Sequence, residues 1–344
     1  MKVALIGAGR IGRLHGTVLA GHPDVDEVLV HDVVPETAEE AAGAFGGRVC
    51  ATAEEAIDRA DAVVIAANTH AHAPLVRSAV EAGRPTFVEK PLAFGLEESE
   101  ALVELVERTG AILQVGFQRR FDAAYREAAR LVAAGELGTV YLVRLIAHDD
   151  APPPESYIPT SGGLFRDSSI HDFDAIRFVT GREVDGVVAV GSVRVAEVFA
   201  RYDDVDTAGA ILTMDDGSLG VLSQTRHNPR GYDIRMEVIG SGDAVSVGFG
   251  DRTPSRSLEP GAPAAAAGWD GFLSRFAGAY RAELEAFVRV AHAEAPSPCT
   301  ARDGLEAMRI AAAATLSARE HRTVRLTEIA RSTSPTSSGA ERGR

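Results

Sequence analysis

Two short polar segments of the chain combine residue types suited to acid–base chemistry. The first is Glu89-Lys90-Pro91, which follows the apolar pair Phe87-Val88. Proline ends sheet pairing and holds the preceding residue extended, so Lys90 leaves the strand in a fixed direction. A lysine fixed in this way can contact a reacting oxygen. The alternative is a solvated Glu89-Lys90 pair that caps the strand, since charged residues are usually exposed.

The second segment runs from Asp167 to Asp174, where the pair Gly162-Gly163 gives way to a predicted helix. Asp167 and His171 are four residues apart, so one helical turn would place them on one face. A histidine can take a hydroxyl proton near neutral pH, and a carboxylate can orient its ring or bind a second hydroxyl. The alternative is an aspartate N-cap with a histidine behind it. A metal site of Asp167, His171 and Asp174 lacks a confirming ligand motif, and we expect no metal.

A parallel sheet covered by helices is expected to position the lysine, because β-rich runs alternate with helical patterns over the first 118 or so residues. Strands are predicted at Val3 to Ile6, Val28 to His31, Ala62 to Ala66, Thr86 to Val88 and Ile112 to Val115. Helices are predicted near 11–20, 36–44, 71–82 and 97–109. We therefore expect an α/β Rossmann domain over residues 1–120.

The rhythm changes after residue 120 and predicts an α+β domain over residues 121–330, built on an open, largely antiparallel sheet. Helices are predicted at Ala123 to Ala134, His171 to Thr180, Tyr280 to His292 and 304–320, and strands at Thr139 to His148, Val184 to Val193, Thr207 to Met214, Ser218 to Thr225 and Ile234 to Ile239. The helix 304–320 is expected to pack back on the first domain. Residues 331–344 have the composition of a disordered tail.

Gly7-Ala8-Gly9-Arg10-Ile11-Gly12 follows the first predicted strand and opens the first predicted helix. In this context Gly7, Gly9 and Gly12 permit a tight turn whose N–H groups approach a pyrophosphate, with Arg10 and Ile11 in the same loop. Asp32 ends the second strand, where a carboxylate accepts hydrogen bonds from both ribose hydroxyls and repels a 2′-phosphate. The segment predicts NAD over NADP. The alternative is a glycine turn needed only for packing.

Composition excludes several classes of partner. The chain has 344 residues and a net charge of −14, from 35 Lys+Arg against 49 Asp+Glu, which disfavours nucleic acid and anionic lipid. No run approaches the roughly 20 apolar residues of a membrane helix. Two cysteines are too few for a disulfide framework and suit a reducing cytosol. The amino terminus passes into glycines and a helix, so we expect a strand there instead of a signal peptide, and a cytoplasmic protein.

Taken together, these motifs resemble the NAD(P)-dependent oxidoreductases named after glucose-fructose oxidoreductase and inositol dehydrogenase. The resemblance covers nearly the whole chain and rests on the glycine fingerprint, Glu89-Lys90-Pro91, the segments 116–122 and 162–167, and the helix that follows. The pairs His148-Asp149 and Tyr232-Asp233 are more narrowly similar to inositol 2-dehydrogenases. The resemblance implies a homo-oligomer, commonly a tetramer or else a dimer, with the active site between the two domains.

The resemblance also implies roles for individual residues. Lys90, Asp167 and His171 would be the catalytic trio: His171 takes the hydroxyl proton, Lys90 contacts the reacting oxygen and Asp167 binds a neighbouring hydroxyl. Further substrate contacts are expected from His148 and Tyr232, although a buried sheet tyrosine is an equal alternative. The expected cofactor contacts outside the glycine turn are Asp32, Asn68, His72, Glu89 and Arg119, with a structural salt bridge as the alternative for Arg119 and with Glu89 also orienting Lys90.

The predicted substrate is a small polyol, myo-inositol or a related inositol, oxidised at a ring carbinol by NAD. The segment Arg226-His227-Asn228-Pro229-Arg230 departs from the more aromatic approach of the inositol dehydrogenases, and it is expected to border the substrate. A pyranose sugar or an aminocyclitol precursor therefore stays open as an alternative. So do an NAD-binding sensor without turnover and a hydrolase that oxidises a glycoside transiently.

Overall fold

The computed structural model describes residues 1–262 and 267–329, which fold around two β-sheets. The expected disordered tail, residues 331–344, lies outside the described residues. Within the described part of the chain, no helix is both long and apolar enough to cross a membrane.

The first sheet has six parallel strands in the order β3-β2-β1-β4-β5-β6, the order of a Rossmann fold. Its strands are β1 Lys2–Ile6, β2 Glu27–His31, β3 Arg48–Val49, β4 Ala62–Ile65, β5 Thr86–Glu89 and β6 Leu113–Gly116. Its helices are α1 Arg10–Ala20, α2 Pro35–Phe45, α3 Ala53–Arg59, α4 His72–Glu81 and α5 Leu96–Thr109. The Rossmann prediction is confirmed. The strand β3 and the helix α3 were not predicted, because β3 has two exposed residues and α3 only seven.

The second sheet has seven strands in the order β12-β11-β7-β10-β9-β8-β13. These strands are β7 Val140–His148, β8 Val184–Ser192, β9 Thr207–Met214, β10 Leu219–Thr225, β11 Asp233–Gly240, β12 Ala244–Val247 and β13 Val324–Arg325. The pair β7 and β10 is parallel, and the other pairs are antiparallel. The α+β prediction with a largely antiparallel sheet is confirmed, and β12 and β13 are additional short edge strands.

Seven helices accompany the second sheet among the described residues: α6 Ala123–Ala133, α7 Ile158–Ser161, α8 Leu164–Asp167, α9 Ile170–Thr180, α10 Phe272–Arg275, α11 Ala277–Ala291 and α12 Ala301–Glu320. Turns of 3-10 helix lie at Thr69–Ala71, Gln118–Phe121, Glu155–Tyr157, Glu197–Tyr202 and Leu326–Glu328. The helices α6, α9 and α12 pack on one face of the sheet. The strands of the sheet alternate buried and exposed residues, as expected when only one face is covered.

The two helices α11 and α12 connect the two cores. Leu284 and Phe287 of α11 belong to one apolar cluster of the Rossmann sheet. Leu305 and Met308 of α12 belong to the other. A Cβ on Gly304 would lie 3.2 Å from the Leu92 side chain, so α12 approaches the segment after Lys90 closely. This packing fixes the second sheet relative to the carboxyl ends of the Rossmann strands, where the candidate site lies.

Candidate active site

The three glycines of the turn after β1 differ in the free space around them. Gly7 has a φ of +95°, and a Cβ on it would lie 2.5 Å from the main-chain N of Ala67. A Cβ on Gly12 would lie 2.0 Å from the carbonyl oxygen of Gly7. Gly9 differs, because no heavy atom lies within 4 Å of its Cβ position. Gly7 and Gly12 therefore pack closely against neighbouring main chain, while Gly9 borders open space. This space lies at the positive end of the α1 dipole, where a pyrophosphate fits.

The predicted companions of the glycines lie around this opening. Arg10 and Ile11 form the first turn of α1, so their N–H groups are among the free donors of that helix end. The Arg10 guanidinium lies 4.6 Å from the centre of the Phe272 ring, and Ile11 packs against the core of the second sheet. Asp32 accepts hydrogen bonds from the N–H groups of Ala8 at 2.7 Å and Val34 at 2.9 Å. Its carboxylate is thus held beside the turn, where the adenosine ribose of a dinucleotide would lie.

Lys90 leaves the end of β5 through a cis peptide bond to Pro91. Its ammonium donates a hydrogen bond to the main-chain carbonyl of Asp167 at 2.9 Å and lies 3.6 Å from the Oδ1 of the same residue. An ammonium has three N–H donors, so donors remain for a substrate oxygen. The solvated-cap alternative is wrong, because Lys90 reaches across to the second domain instead of pointing into water.

Glu89 does not contact the ammonium of Lys90. One carboxylate oxygen lies 2.7 Å from Nε2 of His15, which is fully buried in α1, and the other accepts the main-chain N–H of Lys90 at 3.2 Å. The expected orientation of Lys90 by Glu89 therefore operates through the main chain. The expected cofactor contact of Glu89 stays a prediction.

Asp167 ends α8 and His171 lies in the first turn of α9, so the expected single helical turn that carries both is wrong. Ser168 and Ser169 form a turn between the four-residue helix α8 and the eleven-residue helix α9. Asp167 is not an N-cap either, since its carboxylate accepts the Tyr157 O–H at 2.8 Å and the Arg226 Nη2–H at 2.7 Å. Burial alone would raise the pKa of Asp167, but the charges of Lys90 and Arg226 outweigh it and lower that pKa.

The His171 side chain has no hydrogen-bond partner among the described residues, and its Nδ1 is buried. Its ring meets the Phe117 ring edge-on, with 5.9 Å between the ring centres. Burial lowers the pKa of His171 well below its usual value, and the positive charges of Lys90 and Arg119 lower it further. The imidazole is therefore neutral near pH 7, which is the form of a base waiting for a proton.

Arg119 lies in a buried ion pair with Asp172. Its pKa is raised, because the attraction of Asp172 outweighs the cost of burial. A guanidinium occupied in this way is a structural link between the segment after β6 and α9. The structure thus favours the salt-bridge alternative over the expected cofactor contact.

Two residues expected at the edge of the cofactor make hydrogen bonds within the protein. The buried His72 places Nδ1 2.8 Å from the carbonyl oxygen of Pro91 and Nε2 3.1 Å from that of Ala67. His72 thus lies between two main-chain carbonyls and supports the segment after Lys90, and its expected contact with a cofactor stays a prediction. The Asn68 side chain accepts the N–H of His70 and begins a short 3-10 turn. The loop itself follows β4, next to Gly7.

His148 and Tyr232 lie where the second sheet approaches the site. Nε2 of His148 lies 2.9 Å from the hydroxyl of Ser223 on the neighbouring strand, and burial lowers the pKa of His148. Tyr232 is buried, burial raises its pKa, and its main chain pairs with Trp269. The buried-tyrosine alternative fits Tyr232 as well as substrate contact does.

The third residue of the considered metal set points elsewhere. Asp174 forms a two-pronged ion pair with Arg120, with the Arg120 Nη2 and Nε 2.7 and 2.9 Å from its two oxygens. In the described ranges, 1–262 and 267–329, no group of three His, Cys, Asp or Glu side chains is placed to hold a metal ion. Asp174 therefore anchors α9 to the segment after β6.

Sequence reasoning does not single out Tyr157, His15 or Asp149 as site residues, and it names Arg226 only as part of a segment that borders the substrate. The sequence signal that could have identified Asp149 and Arg226 is their position directly after two predicted strands, β7 and β10. Once β7 and β10 are paired in parallel, the residues that follow them must meet at one edge. Tyr157 lies on a proline-rich loop and has no periodic pattern that could have revealed it.

Two family models match the chain. One, described as an oxidoreductase family with an NAD-binding Rossmann fold, matches residues 1–117. The other, described as the GFO/IDH/MocA C-terminal domain, matches residues 125–246.

Curated relatives and solved structures match over almost the full length. A myo-inositol dehydrogenase of Streptomyces leeuwenhoekii is 41% identical over 92% of this chain and 97% of its own. An inositol 2-dehydrogenase of Rhizobium meliloti is 36% identical over 94% of this chain and 98% of its own. A scyllo-inositol dehydrogenase of Lactobacillus casei, solved with NAD(H) and scyllo-inositol, has a TM-score of 0.86 at 29% identity and covers 95% of this chain and 99% of its own.

Proposed function

The chain belongs to the GFO/IDH/MocA family of NAD-binding oxidoreductases, and from this premise we propose that it oxidises a ring carbinol of a cyclitol, myo-inositol or a related inositol, to the ketone with NAD. The relatives named above act on inositols according to their names, and one was solved with scyllo-inositol. NAD is the cofactor of the family's Rossmann domain, and the glycine turn and Asp32 fit it.

The observation that carries the proposal is the meeting of Lys90, Asp167 and an unpartnered His171 at the carboxyl end of the Rossmann strands. In open α/β sheets this edge is where ligands bind. The cluster contains a cation, an anion and a neutral base in contact or in electrostatic reach of one another. A carbinol oxidation needs a group that accepts the hydroxyl proton and a group that stabilises charge on its oxygen, and these residues supply both.

Bound NAD supplies the acceptor for the hydrogen and electron pair of the carbinol C–H bond. The chain's own residues do the remaining work. Lys90 donates a hydrogen bond to the reacting oxygen and stabilises the negative charge that develops there. His171 accepts the hydroxyl proton, a contribution of about 10² to 10⁴ in rate. Asp167 accepts a hydrogen bond from a neighbouring hydroxyl and holds the ring in register, because correct placement of reactants supplies roughly 7 to 11 kcal/mol of the barrier.

We further propose that copies of the chain associate through the uncovered face of the second sheet, as a tetramer or a dimer. This face exposes large apolar side chains on four strands, among them Tyr141, Val190, Ile211 and Val221. Exposed apolar patches of this kind commonly mark association surfaces. Both cysteines are buried and unpaired, which fits a cytoplasmic location.

The test is a screen of inositols, aminocyclitols and aldoses with NAD and with NADP, followed by absorbance of the reduced cofactor. We expect stoichiometric ketone and NADH with an inositol. Faster oxidation of an aldose or an aminocyclitol would move the substrate class to that alternative. Binding of NAD without turnover of any compound would favour a sensor, and cleavage of a glycoside without net NADH would favour a hydrolase.

A further inference from the structure

Arg226 connects two carboxylates that come from different elements, since Asp149 follows β7 and Asp167 ends α8. Its Nη2 donates to Oδ2 of Asp167 at 2.7 Å, and its Nη1 donates to Oδ2 of Asp149 at 3.2 Å. The arginine is only 4% exposed, and its Nε is buried without a partner. A guanidinium presents its donors as a rigid fork, so it fixes the positions of the two carboxylates relative to each other.

The sheet topology explains why these residues meet. β7 and β10 run parallel, with Thr225 in register with His148, so Arg226 and Asp149 follow side by side at the same edge. The main chain reinforces this pairing, since the Asp149 N–H donates to the Thr225 carbonyl at 3.0 Å. The Asn228 N–H donates to the Asp149 carbonyl at 2.6 Å. The bridge is thus built into the sheet and does not depend on a flexible surface side chain.

We infer that Arg226 is a positioning and specificity-determining residue, which joins Asp149 and Asp167 into one acceptor surface for hydroxyl groups of an uncharged polyol ring. This inference rests on the proposed function. An ionised carboxylate offers about four acceptor positions. Asp167 uses one oxygen for Tyr157 and the other for Arg226, so acceptor positions remain on both oxygens.

The charges of the cluster support an uncharged substrate. Two cations, Lys90 and Arg226, face two carboxylates, Asp149 and Asp167. The charge of Arg226 is already balanced by two carboxylates, so it attracts the carboxylate of a sugar acid or a phosphate less than an unpaired cation would. The remaining carboxylate acceptors favour ligands rich in hydroxyl donors.

Removal of Arg226 should also change how Asp167 titrates. The charged and titratable groups that interact with Asp167 are Lys90, Tyr157 and Arg226, together with Arg166, Asp149 and Asp204. Arg226 is one of the two cations that lower the pKa of Asp167. Without it the pKa of Asp167 rises, so the ionisation of Asp167 moves to higher pH on the acid side of the kcat/KM profile, beside the ionisation of His171.

The experiment compares Arg226→Gln, Arg226→Lys and Arg226→Ala with wild type on the best substrate of the screen. We expect kcat/KM of Arg226→Gln to fall about 100-fold, mainly through the KM of the polyol, because a misplaced substrate costs this much. NAD affinity should stay unchanged. Arg226→Lys should not rescue, since an ammonium lacks the fork, and added guanidinium should restore activity to Arg226→Ala.

Arg177→Gln is the matched control, because Arg177 is also buried and forms a two-pronged pair, with Glu183, at the far end of α9. It should lose thermal stability and keep the KM of the polyol. Wild-type kinetics in Arg226→Lys, or an unchanged polyol KM and pH profile in Arg226→Gln, would overturn the inference alone. If wild type oxidised no polyol at all, the proposed function itself would fail. Arg226→Lys keeps the charge and supplies the test if the other variants do not fold.

Discussion

The cofactor end and the substrate end of the cleft are held by different kinds of interaction. At the cofactor end, the glycine turn forms from six consecutive residues, and steric space decides it: a Cβ on Gly12 would lie 2.0 Å from Gly7, while Gly9 faces open space. At the substrate end, Lys90, Asp167, Arg226 and Asp149 come from four separate segments, and paired charges hold them.

This difference determines what each end tolerates. The turn presents main-chain N–H groups, so added bulk damages it more than a change of charge does. At the substrate cluster, a charge left without its partner in a buried site is costly. Substitutions at the two ends should therefore fail in different assays, one in cofactor binding and the other in substrate turnover.

The largest effect is expected from Lys90→Ala. Loss of the group that contacts the reacting oxygen should lower kcat by about 10² to 10⁴, while NAD binding measured by fluorescence titration stays close to wild type. Lys2→Ala is the control, because Lys2 pairs with Glu27 at the start of β1. The amino ends of the strands lie opposite the carboxyl ends that carry the site. Full activity of Lys90→Ala would remove Lys90 from the mechanism.

Gly12→Ala should act at the other end. Its added methyl group must push the turn apart, so we expect NAD affinity to fall at least about tenfold, which corresponds to 1.4 kcal/mol of lost binding. Gly43→Ala is the matched control in α2, where no heavy atom lies within 4 Å of the Cβ position, and it should raise stability by about 0.4 to 1 kcal/mol. Equal NAD affinity in the two variants would show that the turn does not hold the cofactor.

Asp32→Asn should have an intermediate effect, because it removes the charge and keeps the shape. We expect the preference for NAD over NADP to shrink about tenfold, the value of one hydrogen bond to a charged group. Melting temperatures would separate this from damage to the turn, since Asp32 also accepts N–H groups of Ala8 and Val34. A wild type that prefers NADP would refute the role of Asp32.

The smallest effect is expected in the pH dependence of kcat/KM. Because the pKa of His171 is lowered, the base stays unprotonated until the pH falls below its usual pKa of about 6.5. The acid side of the kcat/KM profile should therefore lie below that value. In Lys90→Ala the residual activity should show this limb at higher pH, since one positive charge that lowers the pKa of His171 is gone. A limb above 6.5 in wild type would argue against His171 as the base.

The sequence predicts the cofactor end better than the substrate end, because the interactions of the cofactor end are local. The glycine turn is local, so the order of strand, glycines, helix and Asp32 was sufficient to predict its position and its ligand class. The Rossmann strands were predictable for a similar reason, because buried parallel strands are continuous apolar runs. The expected cofactor contact of His72 stays a prediction, since a sequence does not show that this histidine lies between the carbonyls of Ala67 and Pro91.

At the substrate end, the sequence identified residue types and missed their arrangement. The four-residue spacing predicts Asp167 and His171 on one helical turn, but α8 ends at Asp167 and α9 begins at Ile170. Arg226 is 59 residues from Asp167, and only the parallel pairing of β7 and β10 places it beside Asp149. Contacts of this range depend on tertiary packing, which no local pattern encodes.

The central claim is that the cleft between these two ends transfers a ring hydrogen of a polyol to NAD. The most direct measurement uses an inositol deuterated at its ring carbons and follows the mass of the NADH that forms. We expect one deuterium per NADH in wild type, with a slower rate than for unlabelled inositol. In Lys90→Ala we expect almost no labelled NADH. NADH without deuterium, or equal label transfer by Lys90→Ala and wild type, would contradict it.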